Sequence, residues 1–107
     1  MARLIRRGEV RWYGFARPDK QRPVVVLTRN AALEFLADVT VAPVTSTIRD
    51  IPTEVVLTPD DGLPRTCAAN LDHVQTVSRT EVGPLITTLH AGRMQEIADA
   101  LRFALDV

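Results

Sequence analysis

The side chains best suited to acid–base or metal chemistry in this sequence are two histidines, His73 and His90, and one cysteine, Cys67. They lack the short ligand spacings of a structural zinc site, so we expect no bound metal and no other cofactor. His90 precedes a predicted helix and is expected to be structural or solvent-exposed, which leaves no histidine pair for general acid–base catalysis. Cys67 is expected to be a small buried side chain. If the chain is an enzyme, its chemistry uses less obvious groups.

Common signatures of other function classes are missing from the sequence. It contains no GxSxG nucleophile elbow, P-loop, GxGxxG or HExxH motif. A single cysteine allows no internal disulfide, so a reducing cytoplasm is the expected location. No apolar run reaches the roughly 18 residues of a membrane span, and the stretch MARLIRRGEV is too short in apolar length for a signal peptide. A length of 107 residues is typical of one domain, expected over residues 1–107.

The charge of the chain is balanced overall but unevenly distributed. Lys and Arg number 13 and so do Asp and Glu, and a net charge of zero does not by itself indicate a nucleic-acid partner. Residues 1–29 hold eight basic and two acidic side chains, a surplus of +6 that the remaining 78 residues cancel. This asymmetry is compatible with a basic surface on the first strands that attracts a polyanion, and equally with a solvated basic face that binds nothing.

Short extended segments dominate the first three quarters of the chain. Strands are predicted over residues 9–15, 23–27, 39–44 and 53–57, with a further extended pair within 68–77. The β-branched run 23–27 is typical of a strand buried on both faces. Asp60-Asp61-Gly62 predicts a tight turn, Gly83-Pro84 is expected to interrupt the chain, and a short helical turn is plausible around 31–36.

The pattern changes to helical spacing near the C-terminus, where apolar residues recur at Met94, Ile97, Ala98, Leu101 and Leu105. This periodicity predicts one amphipathic helix that covers a sheet. Several short strands followed by a terminal helix favour a small barrel or a strongly curved sheet. The sheet edges are then expected either to close within the chain or to pair across a dimer.

Four segments in a fixed order resemble the MazF/PemK family of bacterial toxins across nearly the whole chain. They are RGEV at 7–10, RPVVVLT at 22–28, VAPVTSTIR at 41–49 leading to IPTEV at 51–55, and ANLDHVQTV at 69–77, before the terminal helix. The resemblance implies a mainly β fold with helices (α+β), a small SH3-like barrel of the MazF/CcdB type with a C-terminal amphipathic helix, and a homodimer. It also implies the toxin of a toxin–antitoxin pair. Such a toxin cleaves single-stranded RNA at specific sequences without metal, and a cognate acidic, MazE-like antitoxin blocks its groove.

The resemblance further implies that Arg22 and Thr45 are catalytic, since they match the family's arginine before a proline and the threonine of its PITST-like segment. RNA carries its own nucleophile, the 2′-hydroxyl, so the protein has to align that group and stabilise charge on the phosphorane. A guanidinium suits the phosphate oxygens, and its very high pKa makes it a poor general base. Arg22 is therefore expected to stabilise charge, and Thr45 to donate a hydrogen bond to a phosphate oxygen or to assist the leaving group.

RNA contacts are implied in three places. Ser46 and Thr47 support Thr45, Asp72 and His73 contact bases by hydrogen bonding and stacking, and the loop between the first two strands covers the groove with Arg17, Lys20 and Gln21. This loop, residues 16–21, is shorter than is typical of the family, which leaves its contacts and the cleaved sequence open. Trp12 is expected to pack in the core or at a dimer interface.

Alternatives remain at this point. Without the resemblance, Arg22 would be interpreted as a surface charge at a strand start, and 45–47 as a strand ending in a hydroxyl-capped turn. A CcdB-like poison of DNA gyrase shares the fold, but it depends on a terminal tryptophan, and this chain ends in FALDV at 103–107. A barrel that binds RNA or a peptide without cleavage is the other alternative.

Overall fold

The computed structural model describes residues 4–14 and 21–107. Within them lie seven strands, two α-helices and three short 3₁₀ turns, the turns at Pro59–Asp61, Leu71–His73 and Arg79–Glu81. The strands are β1 (Glu9–Gly14), β2 (Gln21–Val26), β3 (Asp38–Thr45), β4 (Glu54–Leu57), β5 (Cys67–Asn70), β6 (Gln75–Ser78) and β7 (Val82–Thr88). The helices are α1 (Asn30–Leu33) and α2 (Ala91–Leu105). Two of the predicted RNA contacts, Arg17 and Lys20, lie outside the described residues.

All strand pairings are antiparallel, in the order β4-β5-β3-β2-β1-β7. Strand β6 pairs with β3 on the edge opposite β2, so β5 and β6 follow one another along that edge. The expected mainly β fold with a C-terminal helix is confirmed. The expected closure of a barrel is not observed, because among the described strands no pairing joins β4 to β7.

Strand β2 separates two hydrophobic clusters. Val24, Val25 and Val26 have no exposed surface, and neighbouring side chains of a strand point to opposite faces. Val25 therefore packs in the cluster that includes Ile97 of α2, whereas Val24 and Val26 pack with Ile5 in the other. The prediction of a strand buried on both faces is confirmed.

Helix α2 begins after His90, whose ring Nδ1 accepts a hydrogen bond from the backbone N–H of Arg93 at 3.2 Å. It packs on β4 and on the turn Leu71–His73 through a face that buries Ile97 and Ala100. The predicted amphipathic helix is confirmed, although Leu105 of its apolar set is 58% exposed. In the described part of the chain, no helix is long and apolar enough to cross a membrane.

An ion pair holds the turn Pro59–Asp61 against α2. Arg93 Nε lies 3.0 Å from Asp61 Oδ1, and Asp61 Oδ2 accepts the backbone N–H of Thr58 at 2.9 Å. The hydrogen bond from Arg93 is the main reason that the pKa of the Asp61 carboxyl lies below its usual value. Gly62 ends the turn with a φ of +97°, as the predicted tight turn requires.

The basic residues of the first strand are partly used inside the fold. Arg11 is only 7% exposed, and its Nε donates to Glu9 Oε1 at 2.8 Å. Its other nitrogens donate to the backbone oxygens of Leu4 and Gly83. Arg7 donates through Nη1 to the carbonyl of Leu27. At least two of the eight basic side chains before residue 30 are therefore engaged inside the fold.

The expected interruption at Gly83-Pro84 is wrong, because both residues belong to β7. Strand β7 lies at the end of the sheet order, so a proline without an N–H is tolerated there. A Cβ at Gly83 would lie 2.9 Å from the carbonyl oxygen of Trp12, so glycine permits the close approach of β7 to β1. The β1–β7 register shifts twice along this contact.

Gly62→Ala is expected to lower the free energy of unfolding by roughly 2–3 kcal/mol. Alanine would be strained at a φ of +97°, and its Cβ would overlap the side chain of Thr87. Gly14→Ala is the control, since no atom lies within 4 Å of its added Cβ. Urea denaturation measures both variants, and equal stabilities would contradict this account of the turn.

Candidate functional site

Arg22 and Thr45 meet where β2 and β3 end on the same side of the sheet. Val24 lies opposite Pro43, and continuing this antiparallel register by two residues brings Arg22 level with Thr45. Arg22 is exposed and Thr45 is half-buried. Two buried strands therefore position both side chains, although the residues are far apart in the sequence.

Two clefts lie on either side of this pair. The larger, which we call the His73 cleft, has a volume of about 480 Å³ and is lined by Arg22, Pro43, Val44, Thr45, Thr47, Arg49, Asn70, His73 and Gln75. The smaller, the Trp12 cleft, has a volume of about 340 Å³ and is lined by Trp12, Gln21, Arg22, Pro23, Val44, Thr45, Ser46, Leu63, Pro64, Arg65 and Cys67. Arg22 and Thr45 line both clefts, so they form part of the ridge between them.

Both clefts are positively charged. Arg22 contributes to both, Arg49 to the His73 cleft and Arg65 to the Trp12 cleft, whereas none of the described lining residues is Asp or Glu. Two of these three arginines come from the part of the chain after residue 29, whose overall charge is negative. The fold thus gathers cations from distant segments, which the charge distribution along the sequence did not indicate. Such clefts attract anions.

The turn after β3 orients the hydroxyl of Thr45. Thr45 Oγ1 accepts the backbone N–H of Thr47 at 3.1 Å. A hydroxyl that accepts one hydrogen bond can still donate its own proton, so Thr45 remains a donor for a ligand. Thr47 lines the His73 cleft and Ser46 the Trp12 cleft. Gln21 also lines the Trp12 cleft, so these predicted contacts lie on both sides of the ridge.

Arg49 was not predicted to be a site residue, although it ends the VAPVTSTIR segment. The backbone N–H of Arg49 donates to Glu54 Oε1 at 2.9 Å, which ties its loop to β4. The next residue, Asp50, has a φ of +56° and turns the chain. The position of Arg49 in the cleft depends on this loop conformation, which no sequence motif indicates.

The predicted pair Asp72 and His73 is divided by the structure. Five residues, 70–74, lie opposite only Ala42 and Pro43 of β3, and the surplus forms the turn Leu71–His73. His73 lines the cleft, but Asp72 lines neither cleft and its Oδ2 accepts the hydroxyl of Thr53 at 2.6 Å. The structure therefore does not bring Asp72 together with Arg22, because Asp72 braces the turn.

Asn70 is a cleft residue that the sequence interpretation did not identify. It is 5% exposed, and it lines the His73 cleft. Its Oδ1 accepts the backbone N–H of Asp72 at 2.9 Å, and its Nδ2 lies 3.4 Å from His73 Nδ1. An asparagine just before a short turn is the sequence signal that could have identified it.

Trp12 and Cys67 both line the Trp12 cleft. Trp12, which was expected in the core or at a dimer interface, is half-buried and lines this cleft. Cys67 is buried as expected, and burial raises the pKa of its thiol. Within residues 4–14 and 21–107, no group of three or more His, Cys, Asp or Glu side chains could hold a metal ion.

Known proteins with similar sequences and structures share one description. A family model of PemK-like, MazF-like toxins of type II toxin–antitoxin systems matches residues 6–105. The probable endoribonuclease MazF5 of Mycobacterium tuberculosis is 45% identical over 107 residues, which cover 99% of this chain and 97% of that protein. Endoribonuclease MazF3 of the same organism is 37% identical over 92 residues, covering 86% and 89% of the two chains.

Solved structures agree with this match. The toxin MazF-mt6 of Mycobacterium tuberculosis superposes with a TM-score of 0.84 at 33% identity, covering 92% of this chain and 97% of that one. A mycobacterial endoribonuclease in complex with its cognate antitoxin gives a TM-score of 0.85 at 29% identity, covering 96% of each chain. The resemblance found in the four sequence segments is thereby confirmed. The chain belongs to the PemK-like, MazF-like toxins of type II toxin–antitoxin systems.

Proposed function

We propose that the protein is a toxin endoribonuclease of the cytoplasm that cleaves single-stranded RNA at specific short sequences, without a metal ion. The observation that carries this proposal is the position of Arg22 and Thr45 on a ridge between two arginine-lined clefts. Close relatives named as endoribonucleases support the activity.

The two clefts suit a single strand of RNA that crosses the ridge. Volumes of about 480 and 340 Å³ fall within the range of small-ligand sites, so each cleft can hold a nucleotide-sized group. The phosphate between two such nucleotides would then lie over Arg22 and Thr45. A duplex would not fit this arrangement, because its bases stay paired and stacked and cannot enter separate clefts.

The proposed reaction uses the 2′-hydroxyl of the RNA as the nucleophile. A bond forms from the 2′-oxygen to phosphorus, and the bond from phosphorus to the 5′-oxygen breaks. The products are a 2′,3′-cyclic phosphate and a 5′-hydroxyl, and the proton lost by the nucleophile balances the proton gained by the leaving group. Arg22 binds the non-bridging oxygens as they gain charge. Thr45, whose oxygen accepts the N–H of Thr47, donates a hydrogen bond from its hydroxyl to the same phosphate and keeps its proton.

The first test is the product chemistry. Purified protein incubated with a long single-stranded RNA in excess EDTA is expected to cut at a few defined sequences and to leave 5′-hydroxyl ends, because the nucleophile belongs to the RNA. Primer extension locates the cuts, and polynucleotide kinase labelling identifies the ends. Intact RNA retained by the protein would instead favour a binding module, and 5′-phosphate ends would exclude this mechanism.

Arg22→Ala and Thr45→Val are each expected to lower the single-turnover cleavage rate by on the order of 10²–10³, because each removes one positioned donor at the phosphate. Arg22→Lys is expected to restore only part of the loss, since an ammonium lacks the planar donor pair. The matched control is Arg102→Ala, an exposed arginine of α2 that lines neither cleft. Cleavage by Arg22→Ala at the wild-type rate would show that the site is assigned wrongly.

We also propose that the protein is a homodimer. The end of α2 leaves Phe103, Leu105 and Val107 largely exposed, at 64%, 58% and 83%, and Leu85 of β7 is 50% exposed. A second copy that covers these side chains would remove apolar surface from water. Sedimentation at micromolar concentration is expected to give the mass of two chains, and Phe103→Glu to shift it toward one. A wild-type protein that sediments as a single chain would argue against the dimer.

The cognate antitoxin is proposed to be acidic and partly disordered, folding as it lies across the clefts. Clefts whose described lining holds arginines and no carboxylate would complement such a segment and would explain how it excludes RNA. Antitoxin binding that is unchanged by Arg22→Ala and Arg49→Ala together would show that inhibition occurs elsewhere.

A further inference from the structure

Asn70 and His73 form a defined contact on one wall of the His73 cleft. The amide Nδ2 of Asn70 lies 3.4 Å from His73 Nδ1. Asn70 is 5% exposed, whereas His73 is exposed and lines the cleft. In the described part of the chain, Nδ1 is the only ring nitrogen of His73 with a hydrogen-bond partner.

The orientation of the Asn70 amide follows from its second contact. The backbone N–H of Asp72 can only donate, so the atom that receives it, at 2.9 Å, is the oxygen Oδ1. The other terminal atom of the amide is therefore Nδ2, which faces His73. An amide nitrogen can only donate, so His73 Nδ1 has to accept. A neutral imidazole that accepts at Nδ1 carries its proton on Nε2.

The turn that carries the two residues is braced against exchange of these partners. The backbone N–H of Leu71 donates to the carbonyl of Thr53 at 2.8 Å, and the hydroxyl of Thr53 donates to Asp72 Oδ2. Both contacts join the turn to the residue before β4. Rotation of the Asn70 amide would turn a donor toward the N–H of Asp72, and the part-buried hydrogen bond between them would be lost.

We propose that Asn70 selects the tautomer of the neutral His73 ring that is protonated at Nε2, and that this N–H recognises a hydrogen-bond acceptor on an RNA base in the His73 cleft. His73 is then a specificity-determining residue and Asn70 its positioning residue. The inference rests on the proposed function for the identity of the ligand. The tautomer itself depends only on the protein.

The same geometry argues against His73 as the general base of the reaction. A base needs a vacant lone pair toward the 2′-hydroxyl, and in this tautomer Nε2 holds a proton while Nδ1 accepts from Asn70. His73 therefore selects the RNA, and charge stabilisation stays with Arg22. A base with a carbonyl oxygen or an unprotonated ring nitrogen in this cleft satisfies Nε2–H, whereas an amino group at that place leaves two donors facing each other.

The tautomer is tested without RNA, by long-range ¹H–¹⁵N correlation spectra of the imidazoles at a pH where the ring is neutral. His73→Gln identifies the signals of His73. Wild-type His73 is expected to show the proton on Nε2. In Asn70→Asp the carboxylate still accepts the N–H of Asp72 but offers an acceptor to His73, so the proton is expected to move to Nδ1. Gln75→Glu is the matched control, because it adds the same charge to the same cleft and leaves the Asn70 partner of His73 unchanged.

The recognition role is tested by the sequence preference of cleavage, measured on a library of single-stranded RNAs. His73→Ala is expected to lose about tenfold of the discrimination at one position of the site, the worth of about one hydrogen bond. His73→Gln, which keeps an N–H donor, is expected to keep part of it. Asn70→Asp is expected to move the preference at that same position toward a base with an amino group, since Nε2 then accepts.

The outcomes separate this inference from the proposed function. A wild-type His73 with its proton on Nδ1 overturns the tautomer assignment whether or not the protein cuts RNA. An active wild-type protein whose preference stays the same in Asn70→Asp and His73→Ala overturns the recognition role. If the wild-type protein cuts no RNA but shows the Nε2 tautomer, the result contradicts the proposed endoribonuclease activity. The proposed recognition of a base by His73 is then contradicted as well.

Discussion

The antiparallel pairing of β2 with β3 is the constraint on which the rest of the structure depends. The backbone N–H of Leu27 donates to the carbonyl of Thr40, and Thr28 Oγ1 accepts the N–H of Thr40. These bonds hold the end of β2 to the first half of β3. Val25 lies opposite the small side chain of Ala42, and both are fully buried. A slip of one residue would turn every side chain of a strand to the other face, which two packed clusters do not allow. The register therefore determines that Arg22 and Thr45 lie side by side between the two clefts.

Much of the fold was accessible from the sequence because it follows from local periodicity. The three consecutive valines of β2 and the helical spacing of apolar residues in α2 each indicate which side chains are buried. Whether the sheet closes could not be predicted from the sequence, because closure depends on pairing between strands that are far apart in the chain. The position of Gly83 and Pro84 was mistaken for a similar reason. Glycine and proline usually interrupt a strand when only the local sequence is considered, but a strand at the edge of a sheet tolerates both. Whether a strand lies at an edge depends on its pairing partners, which the local sequence does not show.

The candidate site was predicted in unequal parts. The structure brings Arg22 and Thr45 together, as predicted, because the family segments that contain them lie at the ends of two paired strands. Asn70 and Arg49 were missed because their positions depend on a turn and a loop held by contacts between separate segments, such as that from Thr53 to Asp72. The same contact removes Asp72 from the cleft, although its residue type suits a base contact. Turns set by long-range hydrogen bonds are where sequence patterns carry least information.

The positive charge of the clefts results from where the charged side chains lie in the fold, and not from the overall composition of the chain. A chain of zero net charge presents arginines to its clefts, and two of its carboxylates bind partners within the fold. Glu9 binds the buried Arg11, and Glu54 binds the backbone of the loop that carries Arg49. Neither carboxylate is among the described residues that line the clefts. Local charge, not net charge, thus decides whether a polyanion is attracted.

This division also separates the two tasks that the proposed site performs. The phosphate contacts would come from strand ends whose register the core enforces, so a change there disturbs both clefts. The base contacts would come from turns whose side chains are exposed and whose backbone is braced independently, as the hydrogen bonds of Asn70 and Thr53 illustrate. Substitutions in the turns can therefore alter which bases fit while the ridge keeps its geometry. A fold arranged in this way can change its recognition sequence without rebuilding its chemistry, because the two depend on different backbone contacts.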